Sequence, residues 1–365
     1  MRFFYLPNEH ALGSQLGPRK AFERLAAAGV LSAYEAYSYL IERQKYSSQE
    51  EALSALAAAV RAFDPDVVFW QHIPSYYVVE EGFIRRLKSD HPRMRFIYHE
   101  GDPWDRVIKR FSSTMRAAFA HSDLAALVGI GYLADMVREC GAKQVVISPH
   151  SYDTIRFGKA WTPTDLQRRW DVVMIANLTC IKRIPFLFMP GGASRKRLAW
   201  ALHEELGERF ALFGTGQGWK GAPFCKGTLD FAKQDEIIRS SWISANWGQF
   251  DKIGYYGSDR LPIALSCGVP HITNYQPGYE HLYGDCPGLY WFKTVNEAID
   301  IVRFLLSQPR ARLNELGAGG AEFAARRLNA DVVYAELVAV IRERLFPDQD
   351  GSPALQREIA GETLR

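Results

Sequence analysis

The sequence of 365 residues has little excess charge of either sign, because 44 basic and 41 acidic side chains leave a net charge of +3. That balance argues against nucleic-acid binding by bulk electrostatics. The five cysteines are odd in number and form no C-x-x-C pair, so neither a disulfide framework nor a zinc ribbon is indicated. No apolar run approaches the roughly 20 residues of a membrane-spanning helix. We therefore expect a cytoplasmic protein with no nucleic-acid partner.

Two common nucleotide-binding motifs are also missing. The stretch 214–219 reads G-T-G-Q-G-W and comes nearest to the dinucleotide fingerprint G-x-G-x-x-G, but tryptophan occupies the place of the last glycine. The Walker pattern G-x-x-x-x-G-K-[ST] does not occur. These absences argue against a nicotinamide-dependent dehydrogenase and against a P-loop protein.

The sequence does contain a regular alternation of apolar strands and amphipathic helices, which predicts an α/β protein with mostly parallel sheets. In the first half we predict strands at 2–6, 67–71, 95–98, 124–128 and 144–148, and helices at 19–28, 48–63, 81–89, 104–120 and 132–140. Ser48 precedes Glu51 by three residues, a capping box that starts a helix there. The predicted organisation is a domain at 1–155, a linker at 156–170 with a short helix at 164–169, a second domain at 171–330, a helix at 331–346 and a flexible tail at 347–365.

The segment 260–284 is the most informative stretch of the chain. A helix ends at Cys267-Gly268, a short strand follows at 271–273, and a Pro-Gly turn delivers Glu280. Ligands of α/β sheets bind in the crevice outside the carboxyl ends of the strands. An acidic residue presented there predicts a small-molecule site.

Glycine-rich turns at the amino ends of helices favour phosphate, because backbone N–H groups and the helix dipole both attract an anion. Three places qualify: the glycine-rich turns at 13–18 and 214–218, and the loop at 177–183, which follows a strand and carries two cations but no glycine. Each is either a phosphate-binding turn or an ordinary connection between a strand and a helix. In the loop at 177–183, Lys182 and Arg183 are either partners for a diphosphate or two solvated surface charges.

The second half resembles the C-terminal domain of group 1 glycosyltransferases with the GT-B fold, especially the CgeB-like branch. The family pattern is close to R-x-F-E-A-x-A-C-G-x-x-x-I-T-D-x-x-G-x-E-x-x-F. The matching positions here are Arg260, Ile263-Ala264-Leu265-Ser266-Cys267-Gly268, Ile272-Thr273-Asn274, Gly278, Glu280 and Tyr283. The similarity covers roughly residues 171–327.

This resemblance implies two Rossmann-like α/β domains that face each other across a cleft. The N-terminal domain would bind the acceptor and the C-terminal domain a nucleotide-sugar donor, with Lys182 and Arg183 neutralising its diphosphate and Glu280 accepting hydrogen bonds from ribose or sugar hydroxyls. Cationic side chains and helix dipoles would replace a metal, so we expect neither a metal nor a cofactor besides the donor. The other donor-binding residues that we predict are Asn177, Gly214, Thr215, Tyr255, Tyr256, Arg260, Gly278 and Gly13.

The chain departs from the family at one motif. The two glutamates of the E-x7-E pattern would fall at Tyr255 and Ile263, and neither is acidic. The usual retaining mechanism of the family is therefore not indicated, and the stereochemistry stays open. Hydroxyl or backbone groups of Tyr255, Tyr256 and Ser258 could replace the missing interaction. Alternatively, the two tyrosines only pack against their neighbours.

An inverting transferase needs a general base that deprotonates the acceptor hydroxyl. His99-Glu100-Gly101-Asp102 follows the strand that ends at Tyr98, and His72 follows the strand that ends at Gln71. We predict a catalytic site of His99, Glu100 and Asp102, with Asp102 or Glu100 as the base and His72 as a further candidate. Each of these residues is also compatible with a satisfied polar group in a loop.

Two features allow more than one interpretation. His150, beside Pro149, either contacts the donor phosphates or has only a structural role in the hinge between the domains. The basic and apolar stretch 106–116 is either the solvated face of an amphipathic helix or a contact with an anionic membrane or a lipid-linked acceptor, which would place the protein at the inner membrane face.

From these features we expect a hexosyltransferase-like, metal-independent glycosyltransferase that moves a sugar from a nucleotide diphosphate to a hydroxyl acceptor. The acceptor hydroxyl would belong to a surface glycan, a glycolipid or a glycoprotein. The alternatives are a nucleotide-sugar epimerase on the same fold and a non-catalytic protein that binds a nucleotide sugar.

Overall fold

The computed structural model describes residues 1–158, 168–181, 184 and 187–347. Two compact units divide the chain: Met1–Pro149 with the segment from Ala330 onward, and His150–Asn329. The predicted Lys182 and Arg183, most of the predicted linker with its short helix, and the tail from residue 348 lie outside the described residues. None of the described helices combines the length and the apolar character needed to cross a membrane.

In the described part of the first unit, a six-stranded parallel sheet has the order β2-β1-β3-β4-β5-β6. The strands are β1 (Arg2–Leu6), β2 (Ala33–Ala36), β3 (Val67–Gln71), β4 (Arg95–Glu100), β5 (Leu124–Leu127) and β6 (Val145–Ile147). The helices are α1 (Leu16–Ala27), α2 (Tyr39–Glu42), α3 (Gln49–Phe63), α4 (Glu81–Asp90), α5 (Ser113–His121) and α6 (Tyr132–Glu139). The central strands β1, β3 and β4 are buried along most of their length, as expected when helices cover both faces of a sheet.

In the described part of the second unit, a five-stranded parallel sheet has the order β11-β10-β9-β7-β8. Its strands are β7 (Trp170–Ile175), β8 (Phe210–Phe213), β9 (Ser241–Ala245), β10 (His271–Asn274) and β11 (Leu289–Phe292). Its helices are α7 (Thr154–Phe157), α8 (Gly192–Leu206), α9 (Gln234–Arg239), α10 (Arg260–Ser266), α11 (Tyr279–Tyr283), α12 (Val295–Ser307) and α13 (Arg310–Arg327). The chain leaves β7 for β8 on one side and then pairs β9 with β7 on the other, so the topological switch point lies between β7 and β9.

The last described helix, α14 (Ala330–Leu345), belongs to the first unit and not to the second. Tyr334, Leu337 and Ile341 are buried in the core cluster that contains Phe22 and Phe69. The helix predicted at 331–346 is therefore a core element of the first unit.

The boundary between the units falls at Pro149, before the predicted boundary at residue 155. The N–H of Tyr152 donates to the carbonyl of Leu328 at 2.9 Å, and Tyr152 forms a β-bridge with Asn329. The two chain segments that connect the units thus pair with each other inside the second unit. This pairing explains why residues 150–157 count with the second unit.

The helix predicted at 104–120 is wrong in its first half. Asp105 Oδ1 accepts hydrogen bonds from the N–H groups of Val107 and Ile108, which closes a local turn instead of a helix. α5 begins only after Ser112, whose hydroxyl accepts from the N–H of Met115 at 3.2 Å. The capping box at Ser48 is confirmed, with 3.1 Å between the Ser48 hydroxyl and the N–H of Glu51.

His271 opens β10 in the interior of the second unit, and its Nδ1 lies 3.1 Å from the hydroxyl of Ser244. Burial lowers the pKa of His271 from 6.5 to about 3. Below pH 6.5 the unfolded chain therefore binds a proton at this residue that the folded unit does not bind. Stability contributed by the neutral ring is complete above pH 6.5 and falls as the pH falls toward 3.

We expect His271→Asn to weaken this pH dependence, because asparagine can still hydrogen-bond to Ser244 but does not titrate. Between pH 7 and pH 5, the free energy of unfolding of the unsubstituted protein should fall by about 2 kcal/mol more than that of the variant. Urea unfolding at both pH values measures the difference. His281→Asn, at an exposed histidine of the same unit, is the control, and equal pH slopes for all three proteins would contradict the expectation.

Candidate functional site

A buried arginine joins the two loops that flank the switch point of the second sheet. Arg195 lies in the first turn of α8, and its side chain is almost completely buried. Its Nε donates to the carbonyl of Trp247, in the loop after β9, at 2.6 Å. Its Nη1 donates to the carbonyl of Asn177, in the loop after β7, at 2.7 Å. The guanidinium therefore fixes the carboxyl edge of the sheet where α/β folds bind their ligands.

A second arginine, Arg260, opens α10 close to Arg195. Its Nη1 is 3.3 Å from a carboxylate oxygen of Asp259, and its Nε is buried without a hydrogen-bond partner among the described residues. Burial and then the positive charge of Arg260 lower the pKa of Arg195 to about 9, so Arg195 is still cationic at neutral pH. Two neighbouring cations of which one has an unsatisfied N–H favour an anionic ligand.

Three predicted donor-binding residues meet beside Arg195. Asn177 Oδ1 accepts from the N–H of Thr215 at 2.9 Å and lies 3.2 Å from the Thr215 hydroxyl. Gly214 connects β8 to Thr215, and a Cβ there would lie 1.9 Å from the carbonyl oxygen of Ala176. The loops after β7 and β8 can approach this closely only with glycine at that position.

The end of β10 holds the loop that follows β9. Asn274 Oδ1 accepts from the N–H of Gly248 at 2.6 Å. The amide of Gln276 donates to the carbonyl of Phe250 at 2.8 Å and accepts from the N–H of Ile253 at 3.0 Å. Because both amide side chains are buried, these hydrogen bonds keep the loop in one conformation.

That loop places Tyr255 in a backbone conformation that is rare for a residue with a side chain, with φ at +62°. The N–H of Tyr255 donates to the carbonyl of Pro277 at 2.7 Å, and its ring lies directly over Gly278. Tyr256, next in the chain, is buried and its carbonyl accepts from the Tyr279 hydroxyl at 2.7 Å. Strained backbone that the surroundings enforce is concentrated at functional sites.

Glu280 lies in the short helix α11 and not in a turn, and its side chain is exposed. A hydrogen bond from its own backbone N–H and one from the Tyr275 hydroxyl at 3.1 Å lower the pKa of its carboxyl. Glu280 therefore presents an ionised carboxylate at the end of β10, on the same sheet edge as Arg195 and Arg260.

In the first unit, the carboxyl ends of β3 and β4 bring His72 and Glu100 together. The Glu100 side chain is buried, and its oxygens lie 2.8 Å from His72 Nδ1, 3.0 Å from the Tyr98 hydroxyl and 2.9 Å from the N–H of Asp102. Because a carboxylate accepts only, His72 donates from Nδ1, and Nε2 is the acceptor when the ring is neutral. Burial lowers the pKa of His72, whereas the charge of Glu100 and its hydrogen bond raise it. The net effect is a pKa above the usual 6.5.

The surroundings of His72 fix its position further. Its φ is +25°, the Tyr39 hydroxyl donates to its carbonyl at 2.6 Å, and its ring is stacked 6.3 Å from that of Trp104. Lys109 lies over Trp104 at 4.2 Å and forms an ion pair of 2.6 Å with Asp102, which is largely exposed.

His72, Glu100 and Asp102 offer ligand atoms within 4.8 Å of one another, a spacing that would suit a divalent cation. Both carboxylates, however, already have partners within the protein: His72 and Tyr98 are within hydrogen-bond distance of Glu100, and Lys109 forms an ion pair with Asp102. These contacts occupy the oxygen atoms that a cation would bind.

One predicted residue does not join these clusters. His99 points to the opposite face of the sheet and packs in the core, 5.5 Å from the ring of Phe69 and 6.5 Å from that of Tyr334, because side chains alternate along β4. Gly13 lies in the loop after β1 of the first unit with φ at +85°, and its predicted part in donor binding stays a prediction. His150 lies 6.4 Å from the ring of Tyr256, which associates it with the loop after β9.

Comparisons with known proteins agree with this architecture. Residues 195–339 match the family model described as glycosyl transferase-like. Among solved structures, Anabaena Alr3699/HepE in complex with UDP aligns over 94% of this chain and 100% of its own at 12% identity and a TM-score of 0.61. Trehalose-6-phosphate synthase from E. coli, solved with UDP-2-fluoro glucose, aligns over 94% and 99% at 10% identity and 0.63.

The chain has the GT-B fold. Sucrose-phosphate synthase from Thermosynechococcus elongatus aligns similarly, over 95% of this chain and 100% of its own, at 13% identity and a TM-score of 0.57. No curated protein sequence matches the chain. At identities this low the shared feature is the GT-B architecture, with its two parallel-sheet units.

Sequence reasoning did not single out Arg195 or Gln276, and it gave Asn274 only as a matching position of the family pattern, without a role. Arg195 follows a glycine pair and precedes two further basic residues, so its sequence context indicates a solvated helix start. The one available signal was the Gly191-Gly192 pair: a Cβ on Gly191 would lie 2.2 Å from the carbonyl oxygen of Gly248, so the pair marks a close approach of two loops.

We expect Gly278→Ala to destabilise the second unit more than Gly221→Ala. Both glycines have a positive φ, +88° and +79°, so alanine costs roughly 1–2 kcal/mol at either position. A Cβ on Gly278 would also lie 2.4 Å from the ring of Tyr255, whereas none of the described atoms lies within 4 Å of one on Gly221. The free energy of unfolding should therefore fall by about 1 kcal/mol more for Gly278→Ala. Equal losses in urea unfolding would show that the tyrosine ring yields freely.

Proposed function

We propose that the protein is a glycosyltransferase that uses a nucleotide-diphosphate sugar, and that the carboxyl edge of the second sheet binds this donor. The observation that carries the proposal is the pair Arg195 and Arg260, two cations at the switch point with an unsatisfied N–H on Arg260. The diphosphate is the anion that would lie against them. The glycosyl transferase-like match over residues 195–339 and the UDP complexes of the solved structures support this choice.

The other donor contacts follow from the same edge. We propose that Asn177, Gly214 and Thr215 border the diphosphate, that Tyr255, Tyr256 and Gly278 shape the loop beside the nucleoside, and that Glu280 accepts from ribose or sugar hydroxyls. Lys182 and Arg183, which lie outside the described residues, remain our proposed additional phosphate contacts. The arginines supply the positive charge, so the proposed donor binding needs no metal.

We expect Arg260→Gln to bind UDP about 10- to 100-fold more weakly, because the variant loses one charge-assisted interaction with the diphosphate. Its affinity for uridine, which has no phosphate, should be unchanged. Calorimetric titration of both ligands measures the two affinities. Arg303→Gln is the matched control, since Arg303 is exposed and pairs with Glu205 on the helical side of the unit. Unchanged UDP binding would remove Arg260 from the site, and an equal loss for uridine would indicate a damaged fold.

We further propose that His72 is the general base for the acceptor hydroxyl. Glu100 is buried and fully engaged, Asp102 is paired with Lys109, and His99 lies in the core, so the earlier assignment of the base to Asp102 or Glu100 gives way to His72. Glu100 is the positioning residue, because its hydrogen bond selects the tautomer with a free Nε2. A base in this position suits an inverting displacement, in which the hydroxyl loses its proton as it attacks the anomeric carbon.

His72→Gln should lower kcat by about 10²- to 10⁴-fold and leave UDP affinity unchanged. Glu100→Gln should also move the acid limb of the kcat/KM profile to lower pH, because Glu100 raises the pKa of His72 and the base must be unprotonated. Turnover of the preferred nucleotide sugar, followed from pH 5 to 9, measures both effects. An active His72→Gln beside an inactive Asp102→Asn would return the base role to Asp102. The anomeric configuration of the product tests inversion separately.

We propose that the acceptor is a hydroxyl of a surface glycan, a glycolipid or a glycoprotein, and that the chain belongs to the CgeB-like branch. We also propose a cytoplasmic location, with a peripheral membrane contact if the acceptor is lipid-linked. A non-catalytic nucleotide-sugar binding protein is the rival, since both glutamates of the family motif are replaced. Slow release of UDP from a UDP-sugar supports the transferase. Tight binding with no turnover supports the rival.

A further inference from the structure

A groove of about 1030 Å³ lies on the second unit, bordered by α8, by the start of α12 and by Trp247 in the loop after β9. Its volume is at the upper end of typical small-molecule sites, about 300–1,000 Å³. Of the residues assigned above to the donor, those that the structure describes do not line it. One residue links the two places: the backbone carbonyl of Trp247 accepts from Arg195, while the Trp247 side chain borders the groove.

Aromatic side chains form part of the groove wall. The Trp200 side chain, on α8, is 38% exposed although it is large and apolar. Its ring packs edge-on against that of Phe224 at 5.1 Å, which holds the exposed face in place. Phe188 lines the groove as well, with Lys196 over its ring at 5.9 Å. A fixed, exposed aromatic face suits a ligand with an apolar flat side.

Trp247 supplies an unsatisfied polar group. Its side chain is 94% buried and packs 5.3 Å from the ring of Phe292, yet its indole N–H has no hydrogen-bond partner among the described residues. Buried indole N–H groups normally find an acceptor. The described residues leave this donor without an acceptor, in a residue that helps to line the groove.

The charged residues of the groove carry both signs. Lys196, Arg197, Glu204, Asp251 and Lys293 line it, and among the described residues none of them forms an ion pair. A ligand with only acceptors would leave the carboxylates unmatched, and one with only donors would leave the cations unmatched. Hydroxyl groups donate and accept, so a polyhydroxylated ligand matches both.

From these features we infer that the groove is a saccharide-binding site separate from the donor site, with sugar rings stacked on Trp200 and Phe188 and a sugar oxygen accepting from Trp247. The inference rests on the proposed function only in so far as a glycan acceptor or product would be the natural occupant. A purely apolar partner would not use the five charges, and a purely anionic one would meet Glu204 and Asp251.

The test uses the full chain on an array of neutral and acidic oligosaccharides, followed by titration of the strongest ligand in solution. Trp200→Ala should weaken that binding at least tenfold, and Trp247→Phe, which keeps the buried ring but removes the N–H, should weaken it about fivefold or more. Phe304→Ala is the matched control, because Phe304 is 53% exposed on α12 but does not line the groove. It should leave the affinity unchanged.

UDP titration of the same variants separates this inference from the proposed function. We expect Trp200→Ala to bind UDP with unchanged affinity. The saccharide site can then be contradicted while the donor site is supported, and the donor site can be contradicted while the saccharide site is supported. Absence of any bound oligosaccharide, or binding that Trp200→Ala leaves intact, would overturn the saccharide site. Loss of UDP binding in Trp200→Ala would overturn it too, because the groove would then belong to the nucleotide.

Discussion

The burial of a single guanidinium constrains the ligand-binding edge of the second unit. Arg195 donates to one carbonyl in each of the two loops at the switch point, and no carboxylate among the described residues pairs with it. Burying a cation that is held only by carbonyl groups costs free energy, so an anion bound at this edge would stabilise the unit. The close packing of Gly191 on Gly248, the amide hydrogen bonds of Asn274 and Gln276, and the strained Tyr255 all serve to keep these loops in place around it. The chemistry proposed for the protein depends on that rigidity.

In the proposed function the two units have different chemical roles, which match the different charges at their sheet edges. The edge of the second sheet is cationic, with Arg195 and Arg260, and matches a diphosphate. The edge of the first sheet instead holds an imidazole in contact with a buried carboxylate, which matches proton transfer. In our proposal the same strand-end position serves as an anion site in one unit and as a base in the other, because the residues after the strands differ and the parallel-sheet framework does not.

Much of the framework could be predicted from sequence, since long apolar strands and amphipathic helices have a clear period. β2 escaped prediction because it is a short edge strand with a mixed pattern of burial, and the start of α5 was misplaced because a single aspartate closes a turn in an otherwise helical pattern. Turn chemistry pointed to Asn177, Gly214 and Thr215, which lie together in the structure, and their role in donor binding stays a prediction. Arg195 was not, since a helical arginine becomes a buried anchor only through loops far away in sequence, and His99 was misassigned because the alternation along β4 points it away from Glu100.

The return of α14 to the first unit has a consequence for the order in which the protein folds on the ribosome. The first unit needs Tyr334, Leu337 and Ile341 to complete its core, so its sequence is whole only after nearly all of the described chain has been made. The second unit, at 150–329, is whole before then. Domains generally fold as units during synthesis, and the usual order from the N-terminus is thereby reversed here. On this order, the apolar faces of the first unit's strands and of α1 would be fully covered only when the last helix emerges.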